Sequence, residues 1–571
     1  MGCMGVALAA LAFVLVLSYA GGQENDTCTT DTCGVSTCAA GYELEVTLDS
    51  TSLVISCNEC DEDYFKAEES ADSCEVCPDG LEAAGTGNTV CTVEAGFWRV
   101  DDSSLVVYEC PNADACTGGS DLASYCEDGF KGPLCAVCTD DHYPSGGYEC
   151  VSCSTGNSAS TIITVVIFVL VVILFIVLLV KAAAHLEEKA RESALDDAAN
   201  DAALASAMTA GTNSRVFQFL KQWKDTLVVR LKIIIAHFQI VTTFPAVLDV
   251  QWPDAFNRYA DKFSIINFDI WGILSQGCFF TADFLKELVF TTLLPLAVVG
   301  VLVALYFKNA RGMAPEARRA AWDSTAGGVL LTGFFFYIVT STLVLQSFDC
   351  QDFEDGSSYL KADYSISCDS DKYEFIYGYA ITMALIFPAG IPATYVAVLY
   401  LGRSRINPDP LNPAVSTEKR EADPTIQKTK FLWGTYRPAV YFYEVWECVR
   451  KLFLTGLLVY FKEGTSSQVV IAMLITLAGL RVLAGLRPYH REDENNLAEA
   501  SLWVTFLTLL AGLLIKSEVA EEDGYDTVAL GVILTVMNMA LVGLAAFQQI
   551  VWATSIFFKE KWGDFFGVDA S

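Results

Sequence analysis

Residues 161–180 have the sequence TIITVVIFVLVVILFIVLLV, which contains eighteen apolar residues, two threonines and no charged side chain. A helix of about 20 apolar residues is long enough to cross the hydrocarbon core of a bilayer. Each apolar residue favours insertion by about 0.3–0.6 kcal/mol, so the segment as a whole favours it by several kcal/mol. Nothing polar marks an inner face on this helix. The stretch therefore predicts a peripheral membrane span that anchors the residues before it.

Eight further apolar segments follow and decide the fold class. Apolar residues make up 53% of the chain, and its mean hydropathy is +0.38, as expected of a protein with much of its surface in lipid. The sequence predicts an all-α polytopic membrane bundle of about nine transmembrane helices, preceded by a small disulfide-rich ectodomain that is mostly β or irregular. The predicted spans are 161–180, 229–248, 287–307, 327–348, 376–400, 446–461, 467–486, 498–516 and 527–551.

The charges of the loops predict the orientation. Residues 349–375 carry eight acidic side chains and two lysines, and residues 517–526 carry five acidic side chains with no Lys or Arg. Other loops are basic, and they contain Lys308, Arg311, Arg318 and Arg319 after the third span and Arg403, Arg405, Lys419, Arg420, Lys428, Lys430 and Arg437 after the fifth. Short loops rich in Lys and Arg stay in the cytoplasm. We therefore expect an extracellular N-terminus, a cytoplasmic C-terminus and a plasma-membrane location.

The span 446–461 is the weakest part of this threading, because only residues 452–461 are cleanly apolar. If it formed one helix with 467–486, the acidic loop 517–526 would face inward. The charge bias therefore favours two spans.

The chain divides into six predicted segments. An apolar run from Val6 to Tyr19, followed by small residues, is typical of a secretory signal peptide, although no Lys or Arg precedes it. The segments are a signal peptide over 1–22, an ectodomain over 23–158, the first transmembrane helix over 159–182, a cytoplasmic helical linker over 183–226, an eight-helix bundle over 227–551 and a cytoplasmic tail over 552–571. A sequon at Asn25 predicts glycosylation.

Cysteine usage indicates an oxidising compartment for the ectodomain. Fifteen of the 20 cysteines lie between Cys28 and Cys153, a density that predicts a disulfide scaffold. Zinc binding is the alternative interpretation of the paired CxxC motifs. It would need a reducing compartment, and the predicted secretory route argues against that. The candidate half-cystines are Cys57, Cys60, Cys74, Cys77, Cys126, Cys135, Cys138, Cys150 and Cys153, with Cys350 and Cys368 in a later outward loop.

Fifteen is an odd number, so one ectodomain cysteine needs a partner elsewhere or stays free. Cys278 would make sixteen and tether the ectodomain to the bundle, and a free, membrane-buried Cys278 is an equal alternative. Cys448 is predicted to be reduced on the inner side.

The ectodomain is predicted to consist of small modules. Alternating residues from Glu43 to Ser56 predict a β-hairpin that leads into Cys57. Gly129 and Gly132, between half-cystines, are expected in turns. A module of about 40 residues buries too little apolar surface to fold alone, so disulfides would contribute about 2–4 kcal/mol each.

The ectodomain is strongly acidic. Residues 23–160 contain 27 Asp and Glu against three basic residues, a net charge of −24 within the −33 of the whole chain. Such a surface repels nucleic acid and concentrates cations. The commoner explanation is a solvated acidic surface. No cofactor is predicted, although Asp61-Glu62-Asp63 is a weak candidate for Ca²⁺.

Charged residues near the sixth span are candidates for pore or gating contacts. Glu444, Glu447 and Lys451 fall at i, i+3 and i+7, on one helical face. One interpretation places this face along a cation route. The other, which is commoner, is an interfacial helix on the cytoplasmic surface with Glu447 and Lys451 as an ordinary i, i+4 pair.

Two further sets of residues are candidates within spans. Gln239, Thr242 and Thr243 share one face of the second span and would line a polar cavity or form hydrogen bonds between helices. Pro388 and Pro392 predict a kink in the fifth span, and hence a hinge or a static bend.

The sequence lacks common catalytic motifs, so we do not expect an enzyme. The chain lacks the phosphate-binding GxxxxGK[ST], HExxH and nucleophile-elbow motifs, and its four histidines are scattered.

Two resemblances suggest a family. The run Gly-Phe-Lys-Gly-Pro-Leu-Cys-Ala-Val-Cys at 129–138 resembles laminin-type EGF and ephrin-receptor-like cysteine repeats. The stretch 436–516 contains Tyr443-Glu-Val-Trp-Glu, Arg450-Lys-Leu, Gly485-Leu-Arg-Pro-Tyr and Asn496-Leu-Ala-Glu. It is similar to multi-pass proteins of protists and algae that join a cysteine-repeat ectodomain to a TRP-like bundle.

Three functions are consistent with these observations. The first is a cation channel or channel-like sensor, the second a receptor or adhesion protein that binds an extracellular protein or glycan, and the third a transporter. The transporter would carry a lipid or a solute and would favour internal repeats, of which the sequence shows no convincing example. The lipid bilayer is the predicted partner in every case, inorganic cations and an oligomer fit the first, and nucleic acid is excluded.

Overall fold

The computed structural model describes residues 37–49, 52–70, 72–83, 85–145, 148–153, 211–248, 250–263, 283–461, 466–517 and 527–566. The predictions for the signal peptide, Asn25, the span 161–180 and Cys278 lie outside these residues. The chain forms two compact units. The described part of the first comprises residues 37–108 and 117–125, and that of the second begins with residues 109–116 and continues from residue 126.

Short strands make up the cysteine-rich region. The predicted hairpin is confirmed, because β1 (Tyr42–Asp49) pairs antiparallel with β2 (Ser52–Glu59). Next come β3 (Tyr64–Phe65), β4 (Glu75–Val76), β5 (Leu81–Glu82), β6 (Thr92–Val93), β7 (Phe97–Trp98), β8 (Tyr108–Glu109), β9 (Phe130–Lys131), β10 (Val137–Cys138), β11 (His142–Ser145) and β12 (Glu149–Ser152). β3 pairs with β4, β5 with β6, β9 with β10 and β11 with β12.

Cystines hold these strands together, so the predicted disulfide scaffold is confirmed. The bonds are Cys38–Cys57, Cys60–Cys74 and Cys77–Cys91 in the first unit and Cys110–Cys116, Cys126–Cys135 and Cys138–Cys150 in the second. Cys153 is also disulfide-bonded. Within each CxxC motif the two cysteines bond to different partners along the chain. Gly129 and Gly132 have φ values of +100° and +77°, which confirms the turns predicted there.

One charged side chain lies in the core of the first unit. Arg99 is 2% exposed. Its Nε donates to the Tyr125 hydroxyl at 2.8 Å, and its Nη1 donates to the carbonyl oxygens of Cys91 and Ser104 at 3.1 and 3.2 Å. The hydrogen bonds that Arg99 donates from Nε and Nη1 therefore go to neutral acceptors.

Helices dominate the second unit. They are α1 (Gly211–Val241), α2 (Phe244–Val247), α3 (Asp254–Phe263), α4 (Phe284–Asn309), α5 (Pro315–Gln346), α6 (Asp371–Ile386), α7 (Gly390–Ile406), α8 (Pro413–Ala422), α9 (Lys430–Trp433), α10 (Tyr443–Leu452), α11 (Ser466–Leu486), α12 (Glu492–Lys516) and α13 (Thr527–Phe566). After α10 the chain continues as one π-helical segment, Phe453–Leu457, and one 3-10 turn, Leu458–Tyr460.

Six stretches within the described residues are long and apolar enough to cross a membrane. They are Phe284–Asn309, Pro315–Gln346, Asp371–Ile406, Ser466–Leu486, Glu492–Lys516 and Val528–Ser555. They contain or closely match the third, fourth, fifth, seventh, eighth and ninth predicted spans, which supports a multi-pass membrane protein. The total of nine is not confirmed, because the second and sixth predicted spans are not among the six and the first lies outside the described residues.

The predicted kink in the fifth span is present. α6 ends at Ile386, and α7 begins at Gly390, so the break spans Phe387, Pro388 and Ala389. Pro392 follows within the first turn of α7, where its missing N–H costs no helical hydrogen bond. Whether the break moves as a hinge stays a prediction.

A small β-hairpin joins α5 to α6. It consists of β13 (Cys350–Asp352) and β14 (Ser358–Leu360), and the predicted disulfide Cys350–Cys368 closes it. The last cysteine module contacts this loop, because the Tyr148 hydroxyl donates to the Lys361 carbonyl oxygen at 3.2 Å and the rings of Tyr148 and Tyr364 lie 6.3 Å apart.

Candidate functional site

A small cavity lies between helices of the second unit and is lined by a cluster of charged side chains. Its volume is about 30 Å³, which is room for one or two water molecules. The charged or titratable side chains that line it are Lys232, His237, Glu444, Glu447, Arg450 and Lys451. It extends along α12 as far as Thr505, roughly 20 Å from the start of that helix at about 1.5 Å of rise per residue.

α10 supplies most of the charge. Glu444 and Lys451 are 1% and 4% exposed, and the Glu447 side chain is 14% exposed, so the face formed by the predicted i, i+3 and i+7 positions points into the protein. Burial of this face fits a helix that packs against the bundle, and both the interfacial helix and the cation route stay predictions. The ion pair that Glu447 makes is with Arg450 at 2.6 Å, three residues further on, in place of the expected pair with Lys451.

Glu444 pairs with a residue from a distant part of the chain. Its carboxylate accepts a hydrogen bond from the amine of Lys232 on α1 and a second one from the Tyr436 hydroxyl at 2.7 Å. The amine of Lys232 lies 4.6 Å from the Phe431 ring centre and 5.4 Å from that of Phe334. The cation is thus held by one carboxylate and by aromatic faces, which attract ammonium groups when water is excluded.

Arg450 is the least satisfied member of the cluster. It is 6% exposed and donates from Nη2 to Glu447, while its Nε and Nη1 have no acceptor among the described residues. The side chain passes Gly479 of α11, where an added Cβ would come within 3.0 Å of the Arg450 Cδ. Glycine at this position therefore leaves the space that the guanidinium needs.

Three tyrosines line the cavity beside the ion pairs. The rings of Tyr436 and Tyr443 lie 5.3 Å apart, and those of Tyr436 and Tyr489 lie 5.4 Å apart. Tyr489 belongs to the turn between α11 and α12. Asn495 fixes that turn, because its Oδ1 accepts from the Tyr489 backbone N–H at 3.1 Å and its Nδ2 donates to the Tyr489 carbonyl oxygen at 3.3 Å.

Two arginines brace the same turn from outside the cavity. Arg437 Nη2 donates to the carbonyl oxygen of Leu486 at 2.6 Å. Arg420 Nη2 lies 3.0 Å from His490 Nε2 and donates to the carbonyl oxygen of Tyr436 at 2.8 Å. Because arginine is only a donor, His490 Nε2 must accept. Burial and the nearby Arg420 charge lower the pKa of His490 below its usual value, and burial lowers the pKa of Arg420 to about 10.

A second polar group lies deeper among α1, α12 and α13. His237 Nε2 is 3.0 Å from Asn538 Oδ1, and His237 Nδ1 is 3.3 Å from Thr505 Oγ1. Asn538 Nδ2 donates to the Thr508 hydroxyl oxygen at 3.3 Å. These contacts join three helices through neutral hydrogen bonds, as in polar helix–helix packing.

The polar residues predicted in the second span do not gather at the cavity. The hydroxyls of Thr242 and Thr243 donate to carbonyl oxygens of their own helix, at Phe238 and Ile240. Gln239 is fully buried, its Nε2 lies 3.4 Å from the Phe335 carbonyl oxygen, and its Oε1 has no donor among the described residues. The contact of Gln239 joins α1 to α5, and both the pore-lining role and the alternative of hydrogen bonds between helices stay predictions for these residues.

A Ca²⁺ site at Asp61-Glu62-Asp63 stays a prediction. Among the residues that the structure describes, no three His, Cys, Asp or Glu side chains are grouped as a metal site requires.

Several members of the site could not be singled out from the sequence. Lys232, Tyr436 and Tyr489 are ordinary residues for a loop or an interface, and nothing local marks them as partners of α10. The one available signal was the set of pieces that carried the resemblance to TRP-like bundles. Tyr443, Arg450 and Tyr489 come from three of those pieces, and all three line the cavity.

Comparisons of this chain with family models, curated proteins and solved structures found no match.

Proposed function

We propose that this chain is a multi-pass cell-surface protein that works as a TRP-like cation channel or channel-like sensor, gated or tethered through its cysteine-rich ectodomain. In this proposal the N-terminus is extracellular, the C-terminus is cytoplasmic and several copies form the conducting unit. The protein has no enzymatic activity. An epitope placed after Lys559 that antibodies reach on intact cells would refute the orientation.

The buried charge cluster is the observation that carries the proposal. Five charged side chains line the cavity, namely Lys232 on α1 and Glu444, Glu447, Arg450 and Lys451 on α10. Ionisable groups inside membrane bundles are costly and mark ion pathways, gates and sensors by default. Pairing reduces this cost, but a buried ion pair seldom stabilises more than an apolar contact would. A functional role explains why the chain retains it.

The segment after α10 provides an element able to move. α10 passes into one π-helical turn and one 3-10 turn without an intervening loop. Such irregular turns are uncommon and often occur at functional sites. A shift of the π turn along this segment would rotate the charged face of α10 relative to Lys232. We infer that the ion pairs rearrange when the protein opens.

The cysteine module next to the bundle supports control from outside. Besides the contacts of Tyr148 with the loop between α5 and α6, Glu109 lies 3.7 Å from the amine of Lys516 at the end of α12. α12 also lines the cavity. A ligand that displaced the segment containing Glu109 would therefore pull on a helix of the site.

Whole-cell voltage clamp tests the proposal. We expect cation currents in cells that express the chain, with amplitude that depends on external Ca²⁺. Glu444→Gln should change the current more than tenfold at a fixed stimulus, since it weakens the hold on Lys232 while keeping the side-chain shape. Glu418→Gln, on the exposed surface of α8, is the matched control and should leave the current unchanged.

The alternative function is a receptor or adhesion protein that binds an extracellular protein or glycan without conducting ions. The contact between the last cysteine module and the loop after α5 favours it equally, because that contact would transmit a signal without a pore. Surface expression with no current under any stimulus, together with binding of a cell-surface ligand by the full-length protein, would select the receptor and reject the channel.

A further inference from the structure

The charges around the cavity do not balance. Lys232, Arg450 and Lys451 contribute three positive charges, and Glu444 and Glu447 contribute two negative ones. Lys232 is paired with Glu444, and Arg450 with Glu447. His237, the remaining titratable side chain on α1 that faces the cavity, makes hydrogen bonds to neutral groups. One positive charge is therefore left over among charged side chains that are at most 14% exposed.

Unused hydrogen-bond donors accompany the extra charge. The Nε and Nη1 atoms of Arg450 are buried and have no acceptor among the described residues, and Arg450 lines the cavity. A buried donor left without an acceptor costs about 1–3 kcal/mol, and more when it is charged. Lys451 lies 4.8 Å from the Phe334 ring centre and within electrostatic reach of Glu444 and Glu447, but these two carboxylates are already paired with Lys232 and Arg450.

We propose that the cavity is a binding site for a small monovalent anion of the size of chloride, held by Arg450 and Lys451. The anion would accept from the free N–H groups of Arg450 and would bring the charge of the cluster to zero. The volume of about 30 Å³ admits an ion of this size and excludes larger organic anions. Water would satisfy the N–H groups but not the charge, and a cation would be repelled by it.

The thermal stability of the full-length protein in detergent tests this site. Cys448 is buried and is the free cysteine among the described residues, so a thiol-reactive fluorophore reports unfolding of the bundle. We expect the melting temperature to be about 2–4 °C higher in sodium chloride than in sodium gluconate at equal ionic strength. The rise should saturate with chloride concentration, and bromide should replace chloride.

Variants distinguish the cavity from a general salt effect. Lys451→Gln removes the excess charge and should abolish the difference between chloride and gluconate. Glu447→Gln raises the excess by one and should lower the half-saturating chloride concentration at least fivefold. Lys372→Gln, a partly exposed lysine paired with Asp283, is the control and should respond as the wild type does.

Two results would overturn the proposal. One is a wild-type melting temperature that is equal in chloride and gluconate, and the other is a Lys451→Gln variant that keeps the full chloride response. If Lys451→Gln does not fold, the Glu447→Gln variant decides, because an unchanged half-saturating concentration rejects the site. The assay does not depend on conduction, so it stands or falls separately from the channel proposal.

Discussion

The cysteine-rich region and the helical bundle bury charge in opposite ways. In the first unit one arginine, Arg99, is surrounded by a hydroxyl and two backbone carbonyl oxygens. In the bundle five charged side chains meet around one cavity, two carboxylates among them. Cystines already fix which strands meet in the small modules, so polar side chains there need only be satisfied.

Among the described residues, no disulfide determines which helices of the bundle pack together. Lipid is as apolar as a leucine side chain, so apolar contacts alone do not determine which helices pack together. Pairs such as Lys232 with Glu444 and His237 with Asn538 join helices that are 212 and 301 residues apart in sequence. We infer that these polar contacts specify the packing of the bundle, as disulfides do in the cysteine-rich region.

The largest expected effect comes from breaking the ion pair of Lys232. Glu444→Ala leaves a buried ammonium without its carboxylate, and removal of one partner from a buried pair costs about 3–5 kcal/mol. We expect a large drop in the melting temperature reported by Cys448 labelling. The double change Lys232→Met with Glu444→Leu should recover most of the loss, because it removes both charges.

If Glu444→Ala instead melted at the wild-type temperature, the ion pair would contribute nothing to the specificity of the bundle. Glu418→Ala on the exposed face of α8 is the matched control, with an expected change within about 0.5 kcal/mol.

Removal of one disulfide in the first unit should have the next largest effect on stability. Removing Cys60–Cys74 by replacing both cysteines with serine should cost that unit about 2–4 kcal/mol, because the closed loop no longer restricts the unfolded chain. Limited proteolysis should then cut the cysteine-rich region, while the Cys448 melting curve stays unchanged because the bond lies wholly within the first unit. If the loss of the disulfide also lowered the melting temperature reported by Cys448, this would contradict the proposal that disulfides stabilise the cysteine-rich region and polar contacts stabilise the bundle separately.

Local pattern predicted much of the fold. Hydropathy located six of the predicted spans, alternation located the hairpin β1–β2, and the proline pair marked the break after Ile386. Each of these features depends on neighbouring residues in sequence. The bond Cys350–Cys368 was predictable for the same reason, since it closes a loop between two cysteines with no nearer alternative.

The site itself was only half predictable. The charged face of α10 was visible as a periodicity, but periodicity does not say whether a charged face meets water or another helix. The charged face of α10 packs inside the protein because Lys232 and Tyr436 provide partners that offset the cost of burial. Such partners come from tertiary packing, and a hydropathy pattern does not predict them. The pairings of the CxxC cysteines were hidden for the same reason.

The smallest expected effect concerns the turn between α11 and α12 and depends on pH. The pKa of His490 is lowered in the folded protein by burial and by Arg420, with Glu421 and Arg437 as the other charged neighbours, whereas the unfolded chain has the usual value of about 6.5. The contribution of His490 to the free energy of unfolding is therefore fully present above pH 6.5. It decreases as the pH drops toward the pKa of the folded state, because the unfolded chain then binds the proton more readily. His490→Gln keeps an acceptor for Arg420 but cannot titrate. We expect it to match the wild type at pH 8 and to melt at a higher temperature than the wild type at pH 5, and identical pH profiles would show that this histidine does not sense protons in the fold.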